Sequence, residues 1–185
     1  MQNITASAQQ ILEAKIPPRY THMNAENFVT KTEEQSNIIG VFEDYLIDFK
    51  RIKRLGETLV LSGNAGIGKT HIACAILNIV LANGHNAFFL DAKDIVEFTK
   101  GDMAGVDFIV IDDLEEQWVT AHERNMHGAF DRLYSANLPF VLTTCLSIDG
   151  LRFYLGKKRF DRLFEGNSYL VELRGESHRG CIPQN

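Results

Sequence analysis

The sequence has few cysteines, no long apolar run and no excess of positive charge. Its three cysteines, Cys74, Cys145 and Cys181, are far apart and form no CxxC pair, which is typical of a reducing compartment and predicts that Cys74 and Cys145 are small core residues. No segment approaches the ~20 consecutive apolar residues of a membrane span, and the N-terminus lacks a secretory signal. The net charge of −5 argues against a strongly basic nucleic-acid surface. We therefore expect a cytoplasmic protein with no membrane partner.

What the chain does contain is enough apolar sequence for one globular domain. It has 185 residues, of which 45% are hydrophobic, and its mean hydropathy is −0.12. Residues 1–19 are interpreted as an N-terminal arm, with a short helix at Ala6–Lys15 that Pro17 and Pro18 stop. Residues 20–185 are expected to form the domain.

A glycine-rich motif lies in the stretch LVLSGNAGIGKTHIACAIL. Gly63, Gly66 and Gly68 fall within six residues, where glycine would weaken any strand or helix and is therefore expected to allow a close approach to the backbone. Together with Lys69 and Thr70 they match GxxxxGK[ST], the loop that wraps phosphates. The alternative interpretation is a tight glycine turn beside an exposed lysine.

The context of the motif favours phosphate binding. A buried strand is predicted at Thr58–Ser62 and an apolar-periodic helix at Lys69–Asn83, so that strand, loop and helix follow in the required order. Loop N–H groups and the helix N-terminus would then face the phosphates, with Lys69 at the β and γ phosphates and Thr70 on Mg²⁺. The residues expected to bind the nucleotide here are Gly63, Asn64, Ala65, Gly66, Ile67, Gly68, Lys69, Thr70 and His71.

A second informative stretch is DFIVIDDLEEQ. The apolar run Phe108–Ile111 ends in Asp112 and Asp113, so two carboxylates emerge at the carboxyl end of a buried strand, where α/β sheets bind ligands. Asp112 is predicted to hold Mg²⁺, and Asp113 to orient or deprotonate the attacking water. The alternative interpretation is that these two adjacent acids are solvated surface charges.

The remaining pattern predicts an α/β fold with strands and helices in alternation. Further strands are predicted at Ala87–Leu90, Asp107–Asp112, Phe140–Thr143 and Ser168–Leu173. Helices are predicted at Thr32–Leu55, from Ala92, at Ala121–Ser135 with a Thr120–Glu123 capping box, and in pieces over Ile148–Phe164. Such alternation indicates a parallel five-stranded sheet with helices on both faces.

Several motifs together resemble one family. GNAGIGKTHIA, IVIDDL, VLTTCLS, LGKKRFDRLF and ESHRG occur in the order found in AAA+ ATPases of the DnaC and IstB group, the replicative helicase loaders and transposition helpers. The resemblance runs from about Pro17 to Arg179, since RYTHMNAENF is similar to the segment leading into that ATPase core. It implies a P-loop AAA+ domain that binds ATP and Mg²⁺ and hydrolyses ATP.

The resemblance also implies roles for three later residues. Thr144 would be sensor 1, at the γ phosphate or the lytic water, or else a strand-capping hydroxyl. Arg162 would be the arginine finger that reaches the ATP of a neighbouring subunit, or else part of a solvated basic face. Arg179 would be sensor 2 in its own subunit, or else a frayed C-terminal arginine.

The chain departs from the helicase loaders at several positions. Only residues 91–106 separate the second and third strands, so the helical insertion that contacts single-stranded DNA is expected to be missing or reduced. Asp113 and Thr144 stand where glutamate and asparagine are common, which predicts slow hydrolysis and a switch rather than a motor. A separate N-terminal helicase-binding domain is also expected to be absent.

Three functional classes remain open at this point. An ATP-switched replicative helicase loader or adaptor is favoured, with ATP-dependent self-association and at most weak single-stranded DNA binding. A DNA-remodelling ATPase similar to IstB, or a DnaA-related regulator, is the second. A small-molecule kinase is the third, since kinases also use the phosphate loop.

Overall fold

The strands form one parallel sheet in the part of the chain that the computed structural model describes. That part comprises residues 6–24, 27–28, 40–41, 45–98, 102–165, 168–175 and 177. The strands are β1 (Leu59–Gly63), β2 (Ala87–Asp91), β3 (Phe108–Leu114), β4 (Phe140–Thr144) and β5 (Tyr169–Leu173). Their order in the five-stranded sheet is β2-β3-β4-β1-β5, and every neighbouring pair is parallel. The predicted α/β sheet is confirmed.

Helices cover both faces of this sheet. The α-helices are α1 (Ala8–Glu13), α2 (Phe49–Leu55), α3 (Lys69–Ala82), α4 (Glu116–Ala121), α5 (Glu123–Ser135), α6 (Ile148–Leu155) and α7 (Lys157–Leu163), and short 3₁₀ helices lie at Pro18–Tyr20 and Ala92–Glu97. Alternate strand residues point to opposite faces. Thus Leu59 and Leu61 pack in the core that contains α3, whereas Val60 packs in the core that contains α5.

Helix α3 is buried on nearly all sides, because the N-terminal segment covers it from outside. Ala14 and Ile16 belong to the same core as α3. The N–H of Phe89 in β2 donates to the Ala14 carbonyl at 2.8 Å, so the segment after α1 also covers this edge strand. Gln10 donates to the Leu81 carbonyl at 2.7 Å. The boundary at residue 19 therefore stays a prediction, and the described arm residues pack on the domain.

Some local predictions were wrong. Thr120 lies inside α4, and α5 begins at Glu123 after His122, whose side chain makes no capping hydrogen bond, so the predicted Thr120–Glu123 capping box is absent. Cys145 is exposed, whereas Cys74 is buried as predicted. The helix predicted at Thr32–Leu55 lies partly outside the described residues, and a turn at positions 47–48 precedes α2.

Within the described ranges, each helix is too short or too polar to cross a bilayer.

Candidate nucleotide-binding site

The glycine loop joins β1 to α3 in a conformation that side chains resist. Gly63 and Gly68 have φ angles of 141° and 103°, in the left-handed half of conformational space. A Cβ at Gly63 would collide with the Leu173 carbonyl oxygen, and one at Gly68 would lie 2.5 Å from Cε2 of Phe28. Glycine is therefore required at both positions, because neighbouring atoms leave no room for a side chain.

Lys69 is folded back over this loop. Its Nζ donates to the carbonyl oxygens of Gly63 at 2.7 Å and Asn64 at 2.9 Å, and lies 3.4 Å from Sγ of Cys145. Only 6% of the residue is exposed. A buried ammonium needs polar partners, and these three hold it at the mouth of the loop.

Three side chains from different elements meet at the carboxyl edge of the sheet. The Thr70 hydroxyl, at the start of α3, donates to Oδ1 of Asp112 at 2.9 Å. The Thr143 hydroxyl, in β4, donates to the same oxygen at 2.6 Å. The structure thus brings together the two residues predicted to ligate magnesium, Thr70 and Asp112. Thr143 was not predicted to take part.

A β-bulge separates the roles of the two adjacent acids. The register with β4 slips between Ile111 and Leu114, and Asp113 has a φ of 64°, which is uncommon for a non-glycine residue. Asp112 therefore points inward and is only 7% exposed, while Asp113 faces outward beside the cavity. The Asp113 N–H donates to the Thr143 hydroxyl at 2.9 Å, which fixes the bulge.

Burial raises the pKa of Asp112 above its ordinary value. The nearby negative charges of Asp113 and Asp91 act in the same direction, whereas the hydrogen bonds from Thr143 and Thr70 oppose the shift. A carboxylate disfavoured in this way gains most when a cation is bound beside it. Oxygen donors from a carboxylate and a hydroxyl are the ligands that Mg²⁺ prefers, so the residues fit this ion.

The cavity beside the loop measures about 510 Å³. Its inner side contains the loop, Lys69, Thr70, Asp112 and Cys145. Its outer wall comes from the segment before β1 and contains Arg19, Tyr20, Met23, Asn27 and Phe28.

The outer wall is attached to α3 by specific contacts. The Phe28 ring packs on the His71 ring with centroids 5.2 Å apart, and the His71 Nε2 lies 2.9 Å from the Asn24 carbonyl oxygen. Asn78 donates to the Met23 carbonyl at 2.9 Å. The wall is thus fixed against the same helix that carries Lys69 and Thr70.

Comparison with known proteins agrees with this geometry. A family model described as "IstB-like ATP binding protein" matches residues 8–180. This chain belongs to that family. The replicative helicase loader DnaC of Escherichia coli K12 is 26% identical over 184 residues, which span 90% of this chain and 73% of DnaC. The resemblance to the DnaC and IstB group is confirmed.

Solved structures share the fold of this IstB-like chain. The crystal structure of the DnaC helicase loader has a TM-score of 0.66 and 19% identity. The match covers 85% of this chain and 100% of that one. AMPPCP-bound DnaA from Aquifex aeolicus has a TM-score of 0.62 and 22% identity, covering 85% of this chain and 51% of that one. At these identities the matches show a shared fold alone.

The threonine predicted as sensor 1 faces away from the cavity of this IstB-like chain. The Thr144 hydroxyl donates to the Leu114 carbonyl at 2.6 Å and accepts from the Leu146 N–H at 3.0 Å, and the residue is fully buried. This geometry favours the strand-capping interpretation. The next residue, Cys145, is the one whose side chain reaches Lys69.

Arg162 lies away from the glycine loop of its own chain. It sits on α7, and its Nη1 donates to Oδ1 of Asp131 at 3.2 Å. The last candidate, Arg179, lies outside the described residues.

Sequence reasoning missed Thr143, Cys145 and the outer wall. The sequence signal for the wall is RYTHMNAENF, whose resemblance to the family predicts no role in binding. Adjacent strand residues cannot be assigned to the cavity without the register, so no sequence signal distinguished Thr143 from Thr144.

Proposed function

We propose that this chain binds ATP with magnesium and acts as a loader or adaptor for a replicative helicase in DNA replication. The observation that carries the nucleotide site is the contact between Thr70 and Asp112 beside the glycine loop. The helicase role rests on membership of the IstB-like family and on similarity to replicative helicase loaders named DnaC. A replicative helicase is accordingly the proposed partner.

The proposed binding mode places the triphosphate on the loop from Gly63 to Gly68. Main-chain N–H groups and the N-terminus of α3 supply positive potential there. Lys69 exchanges its carbonyl partners for phosphate oxygens, an exchange that a compact point charge with three donors makes without moving the backbone. The adenine base of ATP lies toward the outer wall, where the rings of Tyr20 and Phe28 line the cavity.

Thr70 and Asp112 are the proposed magnesium ligands. When bound, Mg²⁺ neutralises negative charge on the phosphate oxygens and so makes the transfer of the phosphoryl group easier. Thr143 orients the Asp112 carboxylate through its 2.6 Å hydrogen bond. Such an orienting hydroxyl stabilises the ionised form of the carboxylate, which is the form that binds a cation.

Hydrolysis by one chain alone is proposed to be slow. Asp113, exposed on the bulge, is the candidate to orient or deprotonate the attacking water. Cys145 occupies the position facing Lys69 that a polar sensor would fill, and a thiol is a weak hydrogen-bond donor. The remaining positive charge is proposed to come from Arg162 of a neighbouring copy in an ATP-dependent homo-oligomer.

Calorimetry with ATP and magnesium tests the nucleotide site. The unmodified chain should bind, and Lys69→Ala should abolish binding, since the ammonium donates to two carbonyl oxygens of the loop and lies where the phosphates are proposed to bind. Lys53→Ala is a matched control: its partner is Asp107, at 2.6 Å, which precedes β3 and so lies at the opposite edge of the sheet from the loop. Binding that survives Lys69→Ala would refute the proposed phosphate site.

Helicase capture tests the biological role separately. Immobilised ATP-bound protein is mixed with purified replicative helicase, and the nucleotide-free protein serves as the control. ATP-dependent capture supports the loader or adaptor role. Leu12→Glu then tests whether the arm docks the helicase, because Leu12 is 79% exposed and can be changed without opening the core.

A DNA-remodelling role similar to that of IstB is the second candidate, since the matching family model carries that name. It predicts ATP-dependent binding to duplex DNA and no capture of the helicase. Measuring both interactions with one preparation of protein distinguishes the two candidates. Single-stranded DNA is included as a third arm, where weak binding at most is expected.

A further inference from the structure

One carboxylate holds two arginines on the outer surface of helices α5 and α7. Asp131, on α5, accepts from Nε and Nη2 of Arg159 at 3.1 and 2.8 Å on its Oδ2 atom. Its Oδ1 atom accepts from Nη1 of Arg162 at 3.2 Å. A single carboxylate is therefore shared between two guanidinium groups.

Tyr134 fixes the plane of the Arg162 guanidinium. The carbon atom at the centre of that group lies 4.3 Å from the Tyr134 ring centroid, which is a favourable cation–π distance. The Tyr134 hydroxyl in turn donates to Oε2 of Glu165 at 2.7 Å, so the ring is held at both ends. The Arg162 side chain is nevertheless 27% exposed, and within the described ranges its hydrogen bond to Asp131 uses Nη1 alone.

This cluster lies at the opposite edge of the sheet from the glycine loop of its own chain. Thr58, which precedes β1, donates through its hydroxyl to the carbonyl oxygen of Leu163, the residue next to Arg162. The glycine loop begins at Gly63, at the other end of β1. At ~3.3 Å per residue, a five-residue strand separates the two edges by roughly 16 Å. Any nucleotide that Arg162 contacts therefore belongs to another molecule.

The contribution of these ion pairs to folding stability is too small to explain why the two arginines share Asp131. Asp131 is 39% exposed and its arginine partners 28% and 27%, and ion pairs exposed to this degree contribute little to folding. The arrangement does, however, remove freedom from a long side chain before it meets a ligand. Ordering a group in advance lowers the entropy cost of the later contact.

We infer that Asp131 is a positioning residue that holds Arg162 ready to contact the nucleotide of a second copy of this chain, with Tyr134 as its auxiliary. The inference rests on the proposed function, because it takes Arg162 to be the finger. Arg159 occupies the second oxygen of Asp131, so that Arg162 is bound through one N–H and keeps its others for phosphate.

Mixed assemblies test this inference. Lys69→Ala supplies a donor that offers Arg162 but binds no nucleotide, and Arg162→Ala supplies an acceptor that binds nucleotide but offers no finger. Each is expected to be nearly inactive alone, and their mixture should regain ATPase activity through donor–acceptor contacts. No regained activity would overturn the finger assignment, and the inference with it.

Asp131→Asn is then placed in the donor or in the acceptor. In the donor it should lower the regained activity by about fivefold, the effect expected for losing a half-exposed ion pair, with no change in the KM for ATP. In the acceptor it should change nothing, since that chain has no finger to position. Equal losses in both placements, or no loss in the donor, would overturn the inference while leaving the finger assignment intact.

Matched variants separate the contact from a general change of charge. Asp161→Asn removes the same charge from an exposed position beside Arg162 in the chain and should leave the donor unaffected. Tyr134→Phe keeps the ring over the guanidinium but loses the hydroxyl bonded to Glu165, so it should lower donor activity less than Tyr134→Leu, which removes the ring. Equal effects of Phe and Leu at this position would contradict the role of the ring.

Discussion

Two adjacent threonines at the end of β4 give the sharpest test of the proposed magnesium site. Both are buried and both hydroxyls make two hydrogen bonds, but their partners differ. Thr143 bonds Asp112 and the Asp113 N–H, while Thr144 bonds backbone groups of Leu114 and Leu146. Valine keeps the shape and strand preference of threonine and replaces the hydroxyl with a methyl group. Thr143→Val and Thr144→Val are therefore a matched pair.

The two variants should lose similar stability. Removing a hydroxyl that satisfies buried groups costs about 1–3 kcal/mol. At roughly 2–4 °C per kcal/mol for a domain of this size, a loss of about 2 kcal/mol lowers Tm by about 4–8 °C. Thermal unfolding without nucleotide measures this cost for each variant.

Only Thr143→Val should impair magnesium-dependent nucleotide binding. Without the Thr143 hydroxyl, the Asp112 carboxylate is less well oriented and its ionised form less favoured, and the loss of such an orienting partner typically weakens metal affinity about 10–100-fold. Calorimetry with ATP and magnesium, well below both Tm values, should show about tenfold weaker binding for Thr143→Val and no change for Thr144→Val. Equal weakening in both variants would refute the assignment of Asp112 and Thr143.

Three further predictions concern the loop and its acids. Gly68→Ala forces a side chain into the left-handed region against Phe28, so it should cost about 2 kcal/mol or more of unfolding free energy in denaturant titrations and weaken ATP binding. Asp113→Asn should keep ATP bound but unhydrolysed, and unaltered turnover would point to another base. Because burial raises the pKa of Asp112, the folded state binds its proton more tightly than the unfolded state. The nucleotide-free protein should therefore lose stability relative to Asp112→Asn as the pH rises from the ordinary carboxyl pKa through the raised one.

Sequence patterns predicted the strand, the glycine loop and the helix of the candidate site because those patterns are local. The glycine spacing, the apolar strand before it and the helical periodicity after it all lie in one short, continuous stretch of sequence. Helix α3 begins at Lys69 as expected, and Asp112 follows a buried strand as expected. Each of these features depends only on neighbouring residues.

What the sequence did not reveal depends on register and on distant contacts. The bulge at Asp113 determines which of the two acids points inward, and the pairing of β4 determines that Thr143 and not Thr144 meets Asp112. The ion pair of Asp131 with Arg162 joins residues on separate helices. A periodic pattern carries no information on such pairings, because a shift of one residue changes every contact across a strand.

The geometry of β1 gives a physical reason why binding and rapid turnover would separate in this protein. The residues proposed to bind ATP and magnesium, which are the glycine loop, Lys69, Thr70 and Asp112, all lie at the carboxyl edge of one sheet. The charge proposed to complete catalysis, on Arg162, lies near the amino edge, one strand length away. A lone chain would then hold ATP without the stabilising charge that a finger contributes, about 10³–10⁵ in rate where it operates. Turnover would rise only in an assembly, so the lifetime of bound ATP would report whether a neighbour is present.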